Sequence, residues 1–209
     1  MDKIAALIAA AGFSSRMNAF KPLLPLGSST VIENTIDSFL CAGVLDITIV
    51  VGYNADKLIP VLEQKRVKWV INESFAEGMY SSVAAGVKSL DTNIKGFFFL
   101  PADIPLVKSH TIQAIYKAYC DTGKAVIYPV FKGRRGHPPL ISSTLFSEIL
   151  DYDGAGGLKA LLSRHKEHAF YVDVEDKGIL LDMDTYESYL ELCRLRDMRD
   201  KGTGTLSLL

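Results

Sequence analysis

Several residues in this chain are of types, and at places, that suit phosphate and metal chemistry. An apolar run ends at Gly12 and is followed by two hydroxyls, Ser14 and Ser15, and two fixed positive charges, Arg16 and Lys21. Glycine lets backbone turn tightly, successive N–H groups in such a turn form an anion-binding concavity, and Arg and Lys add charge. The segment is therefore either a phosphate cradle or a polar loop after an ordinary first strand. Asp103 lies between Pro101 and Pro105, just after the apolar run Phe97–Leu100. A carboxylate there either holds magnesium, which takes one or two carboxylates together with substrate phosphates, or caps a turn. Asp182 and Asp184 are candidates for the second carboxylate. On a strand they share one face with Met183 opposite, while Asp184 alone can be the N-cap of a following helix. His137 sits with Arg134 and Arg135 in a loop from Lys132 to Pro139; a lone histidine before two prolines can equally be a hydrogen-bonded structural residue.

The elements that must position these residues alternate. A first strand from Ile4 precedes Gly12. Thr30 and Glu33 have capping-box spacing for a helix that reaches about Cys41 and stops at Gly43. Strands are expected over 47–51, 67–71, 96–100 and 125–131, the fourth of these five, counting the first, being a central one buried on both faces. Helices are expected over 55–63, 81–89, 110–119, 144–150 and after Gly157. The Lys132–Pro139 stretch can only be a loop or hairpin. Closing strands over 169–174 and 179–183 and a last helix over 185–199 complete the pattern. Alternation of this kind predicts an α/β fold: a three-layer sandwich with a mostly parallel, Rossmann-like sheet. Ligands bind such sheets at the carboxyl ends of the strands, where strand order reverses. Gly12–Lys21, Asn72–Ser82, Asp103 and Gly133–His137 all follow strands, so one site can collect them.

Composition narrows the classes. With 209 residues, 48% of them hydrophobic, the chain suits one well-filled domain, expected over 1–199 with a disordered tail at 200–209. Its 23 basic and 24 acidic residues give a net charge of −1, so no global field favours nucleic acid or an acidic membrane. Cys41, Cys120 and Cys193 are widely spaced, suggesting neither a disulfide framework nor a zinc site but reduced, mostly buried thiols. No stretch approaches the ~20 apolar residues of a membrane span, so a cytoplasmic protein is expected.

The same motifs carry a family resemblance. Ala10 to Met17 together with Lys21 resembles the A-A-G-x-S-x-R-M-G-x-x-K signature of MobA/MocA-like nucleotidyltransferases, above all the molybdenum cofactor cytidylyltransferases. Asn72 to Ser82, with Gly86, resembles that family's N-x-x-(aromatic)-x-x-G-(Met or Leu)-x-S-S segment. Pro101 to Leu106 is similar to its metal-binding D-x-P-L, Gly136 to Leu140 to its G-H-P element, Gly154 to Gly157 to its late G-x-x-G turn, and Asp182 to Thr185 to its D-x-D-T. The motifs stand in family order from residue 4 to about 190. Two positions depart from the pattern: Asn18, where the family usually has glycine, and Ile104, where it often has Gln.

The resemblance implies a sheet of the nucleotide-diphospho-sugar transferase type and transfer of CMP from CTP to the phosphate of molybdopterin, releasing pyrophosphate. It implies that Ala10, Ala11, Gly12, Ser14, Ser15, Arg16 and Lys21, with Gly78, Ser81 and Ser82, bind the nucleotide; the two serines alternatively cap the helix there. Arg16, Lys21 and Asp103 are the expected catalytic residues, Asp103, Asp184 and Asp182 the expected ligands of Mg, and Arg134, Arg135 and His137 the acceptor-binding group. The Ala-Ala-Gly form of the first motif accompanies cytidine use, and a methyl at Ala11 fits beside a pyrimidine. A molybdoenzyme is the implied recipient of the product. The alternatives are a relative using GTP or another phosphorylated acceptor, such as a sugar or alcohol phosphate, and a non-catalytic cofactor chaperone, which Arg16, Lys21 and Asp103 argue against. A nicotinamide oxidoreductase is disfavoured because Gly12–Arg16 lacks G-x-G-x-x-G.

Overall fold

The apolar opening run forms β1 (Ile4–Ala9), buried along its whole length. Its side chains alternate, Ile4, Ala6 and Ile8 entering one half of the core and Ala5, Leu7 and Ala9 the other. That alternation is what a strand buried on both faces requires. In this computed structural model, which describes residues 1, 3–13, 17 and 19–203, β1 lies between β4 (Asp46–Val51) and β6 (Gly96–Pro101), parallel to both. The remaining strands of the sheet are β5 (Lys68–Ile71), β7 (Val126–Phe131), β8 (Arg134–Arg135), β9 (Leu140–Ser142) and β10 (Ala169–Asp173), in the order β10-β7-β9-β6-β1-β4-β5 with β8 paired to β7. Among the described residues, only β8 and β9 run antiparallel to their neighbours in it. A separate two-stranded hairpin joins β2 (Pro25–Leu26) to β3 (Ser29–Thr30).

Helices cover both faces, giving the expected three layers. The helices α1 (Val31–Ala42), α2 (Ala55–Lys65) and α4 (Ser109–Thr122) pack Ile36, Phe39, Leu58 and Ile115 on one side. On the other, α3 (Met79–Ser89), α5 (Phe146–Asp151) and α6 (Gly157–Ser163) pack Val83, Val87, Ile149 and Leu161. A third cluster, Leu26, Val31, Leu106, Met183 and Leu192, seats α7 (Tyr186–Thr203) against the β2–β3 hairpin and the loop after β6. The start of α1 is the capping box read from its sequence, Glu33 N–H donating to Thr30 Oγ1 and Thr30 N–H to Glu33 Oε2. It ends at Gly43, whose φ of 89° is left-handed.

Several expectations fail for identifiable reasons. The stretch 179–183 is no strand. Residues Lys177–Leu180 form a 3-10 turn, organised by the fully buried Asp176 carboxylate, which accepts from the backbone of Lys108 and Gly178 and from the Thr111 hydroxyl. Ile179 and Met183 are buried, which gives the apolar alternation of a strand, but their backbones bond to His137 N–H and Asp103 C=O rather than to a ladder. The antiparallel β9, between β6 and β7, was missed because three residues after two prolines are too short to show a period. The cysteines are not mostly buried: Cys41 and Cys120 are exposed and Cys193 half-buried, all with free thiols. The last helix continues to Thr203, past the expected end at Arg199; residues 204–209 of the expected tail lie outside the described residues. Among the described residues, no helix is long and apolar enough to cross a membrane.

Candidate active site

Strand order reverses at β1: the chain moves from it to β4 and β5 on one side, and β6 occupies the other. The loops leaving β1 and β6 therefore emerge side by side, with a crevice between them. Backbone bonds knit them together, Ala10 N–H donating to Val50 C=O, Tyr53 N–H to Ala11 C=O and Ala102 N–H to Ala9 C=O. A small cavity of about 100 Å³ opens here, lined by Ala10, Gly12, Lys21, Met79, Pro101 and Asp103 among others. A Cβ built on Gly12 would meet nothing within 4 Å among the described residues.

Lys21 occupies the centre. A 3-10 turn, Lys21–Leu23, with Pro22 at its start, fixes the backbone, and the residue is only 9% exposed. Its ammonium donates to Asp103 Oδ2 at 3.4 Å and to Asp184 Oδ1 at 3.2 Å. Asp103 comes from the end of β6 and Asp184 from the segment before α7. Met183 N–H donates to Asp103 C=O at 3.0 Å, which ties the two carboxylate-bearing segments together. Asp184 is not the cap of α7. Thr185 is: its hydroxyl accepts from Ser188 N–H while Ser188 Oγ accepts from Thr185 N–H, and the Asp184 carboxylate is left to meet Lys21. Asp182 is exposed and, without a strand, no alternation places it with Asp184. Ser14, Ser15, Arg16 and Asn18 lie outside the described residues.

The donor set suits a magnesium ion. Asp103 and Asp184 present hard oxygens to one shared cation position, and magnesium is commonly held by one or two carboxylates with phosphate and water filling the rest. Among the described residues no cluster of three His, Cys, Asp or Glu side chains forms an all-protein metal cage.

Other expectations are corrected by the structure. Ala11 is 2% exposed and packs beneath Gly52 and Phe75, a Cβ at Gly52 falling 2.9 Å from the Ala11 methyl. The methyl faces protein, so it does not sit beside a base. Ser81 and Ser82 do not cap α3, which starts two residues earlier after Gly78. Asn72 Nδ2 donates to both hydroxyls, at 2.8 and 3.0 Å, and the Ser81 hydroxyl lies within hydrogen-bond distance of Ser74 and Gly78 carbonyls. They fasten the Asn72–Gly78 loop to the helix, and Ser82 is buried. The motif patterns did not single out Tyr53. Phe13, half exposed, lies with its ring centroid 5.2 Å from those of both Tyr53 and Phe75, forming an aromatic shelf beside Gly12. These three residues sit on three loops, so no sequence window shows the group; each follows a strand, which was the available signal.

A second pocket, about 390 Å³, adjoins the first and shares Met79 and Pro101 with it. Phe99, Tyr128, Arg135, His137 and Lys159 contribute to its walls. The two arginines separate because β8 alternates, Arg134 opposite Phe131 and Arg135 opposite Val130. Arg135 lines this pocket, its guanidinium 4.4 Å above the Tyr128 ring; Arg134 is exposed and does not. Gly136 lets the hairpin press onto the 3-10 turn, since a Cβ there would lie 2.5 Å from Ile179 C=O. His137 N–H donates to that same carbonyl, and its Nδ1 is buried with no hydrogen-bond partner among the described residues. Burial pushes its imidazole below the ordinary histidine pKa. Lys159, at the start of α6, was not foreseen.

A family model described as the MobA-like NTP transferase domain matches residues 6–169. The chain belongs to that family. Nucleotidyltransferase chemistry is what its members' domain carries, and the crevice just described falls within the matched region apart from Asp184. The molybdenum cofactor cytidylyltransferase of Escherichia coli (strain K12) is 27% identical over 193 residues, which is 91% of this chain and 95% of that protein. A nucleotidyl transferase from Methanothermobacter thermautotroptrophicus superposes with a TM-score of 0.80 at 26% identity, covering 95% of this chain and 98% of that one. A Mycobacterium tuberculosis H37Rv protein solved as a manganese complex has the same fold, with a TM-score of 0.77 at 23% identity and coverage of 92% and 98%.

Proposed function

We propose that this MobA-like transferase moves a cytidylyl group from CTP to the phosphate of a molybdopterin acceptor and releases pyrophosphate, with magnesium as its metal. The observation that carries the reading is the convergence of Lys21, Asp103 and Asp184 at the reversal of strand order, beside Gly12 and a second pocket. The Escherichia coli relative supports the choice of nucleotide and acceptor, and the manganese complex of the mycobacterial protein supports a divalent ion.

In this reading an oxygen of the acceptor phosphate attacks the α-phosphorus of CTP. The bond from that phosphorus to the oxygen bridging to the β-phosphate breaks, and that oxygen carries the electron pair away on pyrophosphate. Such a loose transition state needs neutralised charge and in-line placement more than a protein nucleophile. Backbone N–H groups of Ala11 and Gly12, the Ser14 and Ser15 hydroxyls, Arg16 and Lys21 hold the triphosphate, with Ala10 shaping the loop, and Lys21 and Arg16 balance charge on the leaving group. Asp103 and Asp184 hold the metal, with Asp182 a further candidate from the sequence motif; when bound, the metal neutralises phosphate oxygens. The Phe13–Tyr53–Phe75 shelf stacks the base. Arg135 and His137, joined by Lys159 and with Arg134 outside the pocket, receive the acceptor. A molybdoenzyme takes the product.

Pyrophosphate release with CTP, GTP and ATP, magnesium and molybdenum cofactor tests the reading. Release with CTP well above that with GTP or ATP is expected, and equal use of CTP and GTP removes the base assignment. One observation favours a second acceptor class. Ile104, where related cytidylyltransferases often carry Gln, is buried in the apolar core, so it offers an acceptor no amide, and release with a sugar or alcohol phosphate in place of molybdopterin would establish that alternative.

A further inference from the structure

The Arg135 side chain lines the second pocket, yet among the described residues it forms no ion pair; what holds it is aromatic. Its Cζ stands 4.4 Å over the centroid of the Tyr128 ring. Tyr128 in turn stacks on Tyr171, with the ring centroids 5.7 Å apart and the planes 20° from parallel. Strand register builds this pile. Tyr171 on β10 is directly opposite Tyr128 on β7, and Arg135 on β8 is opposite Val130, two residues along β7 from Tyr128 and so on the same face. Tyr128 is buried in the apolar cluster that holds Leu161 and Leu162 of α6, whereas Tyr171 is half exposed on the edge strand of the sheet.

We propose that Tyr128, backed by Tyr171, is a positioning residue that holds the Arg135 guanidinium on the pocket wall for the phosphate of the acceptor. The inference rests on reading this pocket as the acceptor site. A carboxylate would also fix an arginine, but it would neutralise the charge and occupy the N–H donors. A ring face attracts the cation without doing either, and the five donors of the guanidinium fork stay available to a phosphate. An exposed arginine carries much rotamer freedom, and ordering it on binding weakens affinity. The ring does that ordering before the acceptor arrives. The edge strand β10 thus belongs to the site, through Tyr171, although its side chains are absent from the described lining of the pocket.

The test follows the Nε–H resonance of Arg135 by NMR in the intact protein, assigned by its disappearance in Arg135→Lys, with inorganic phosphate as the probe. Reading phosphate at Arg135 itself leaves out any that is taken up elsewhere. In the unaltered protein the resonance should carry a ring-current displacement and shift further as phosphate is added. Tyr128→Phe keeps the ring and should keep both the displacement and the phosphate affinity. Tyr128→Leu, with Tyr128→Met as a second variant should the first fold poorly, should abolish the displacement and weaken phosphate about three- to tenfold, the scale of ordering one long side chain. Tyr171→Leu, at a half-exposed position, should act in the same direction and by less. A purely structural role for Tyr128 would lower the melting temperature of Tyr128→Leu and leave phosphate binding of the folded protein unchanged, which overturns the positioning while the acceptor assignment stands. Absence of the ring-current displacement in the unaltered protein also overturns it. Phosphate that shifts the Arg135 resonance in none of these proteins removes the acceptor assignment of Arg135 underneath, and the proposal with it.

Discussion

Lys21 shows why a residue type and its place after a strand were enough to raise a hypothesis but not to finish it. The motif supplied the ammonium, and the apolar run before Asp103 supplied the carboxylate. Asp184 could be chosen over its role as a cap only once Thr185 and Ser188 were seen to cap each other. Asp103→Asn keeps the shape and removes the charge, so it should lower pyrophosphate release by about 10²–10³-fold, the scale of losing one group that stabilises developing charge, while thermal unfolding shows a folded protein. His137 makes a separate prediction. Its pKa is lowered by burial, so between the ordinary value of ~6.5 and the lowered one the unfolded chain binds more protons than the folded chain. Stability is therefore fully present above the ordinary pKa and falls as pH drops through that window. His137→Gln should flatten the dependence of melting temperature on pH below ~6.5, and an unchanged slope would assign it to other groups.

At the scale of elements, legibility followed the source of each element's hydrogen bonds. The start of α1 was readable because its cap is local: Thr30 and Glu33 satisfy each other across one turn, and the Thr30 hydroxyl, donating to the Glu33 carboxylate, holds that group below its ordinary pKa. Thr30→Ala should cost about 1 kcal/mol in denaturant unfolding at neutral pH. Because a lowered carboxylate pKa gives stability that is present above the ordinary value and lost as pH falls through the lowered one, that cost should shrink in acid. The 179–183 stretch was misread because its partners are distant, His137 and Asp103 drawing the backbone away from any ladder. The Phe13 shelf was missed for a related reason, since it exists only after three loops meet. Arg134 and Arg135 were inseparable in sequence, and the pairing of β8 with β7 divided them.

For the whole molecule, the reversal of strand order at β1 accounts for the position of the crevice, but it leaves Asp184 to be delivered from outside the sheet. The third apolar cluster does this. Met183 is fully buried with Leu26, Val31, Leu106 and Leu192, and its N–H bonds to Asp103 C=O. One side chain thus anchors α7 while its backbone registers Asp184 against Asp103. Met183→Ala should leave a cavity and cost about 2–5 kcal/mol, the range for large-to-small changes in a core, read from denaturant midpoints at constant slope. The same change should loosen the register of the carboxylate pair, so Mn²⁺ binding in the presence of CTP should weaken even under conditions where the variant is fully folded. An equally large truncation remote from this cluster, Leu161→Ala where α6 lies against the opposite face of the sheet, should cost similar stability and leave Mn²⁺ binding intact. If both variants weaken the metal equally, the effect belongs to general loosening. If only Met183→Ala does, the α7 cluster is the structural support of the site.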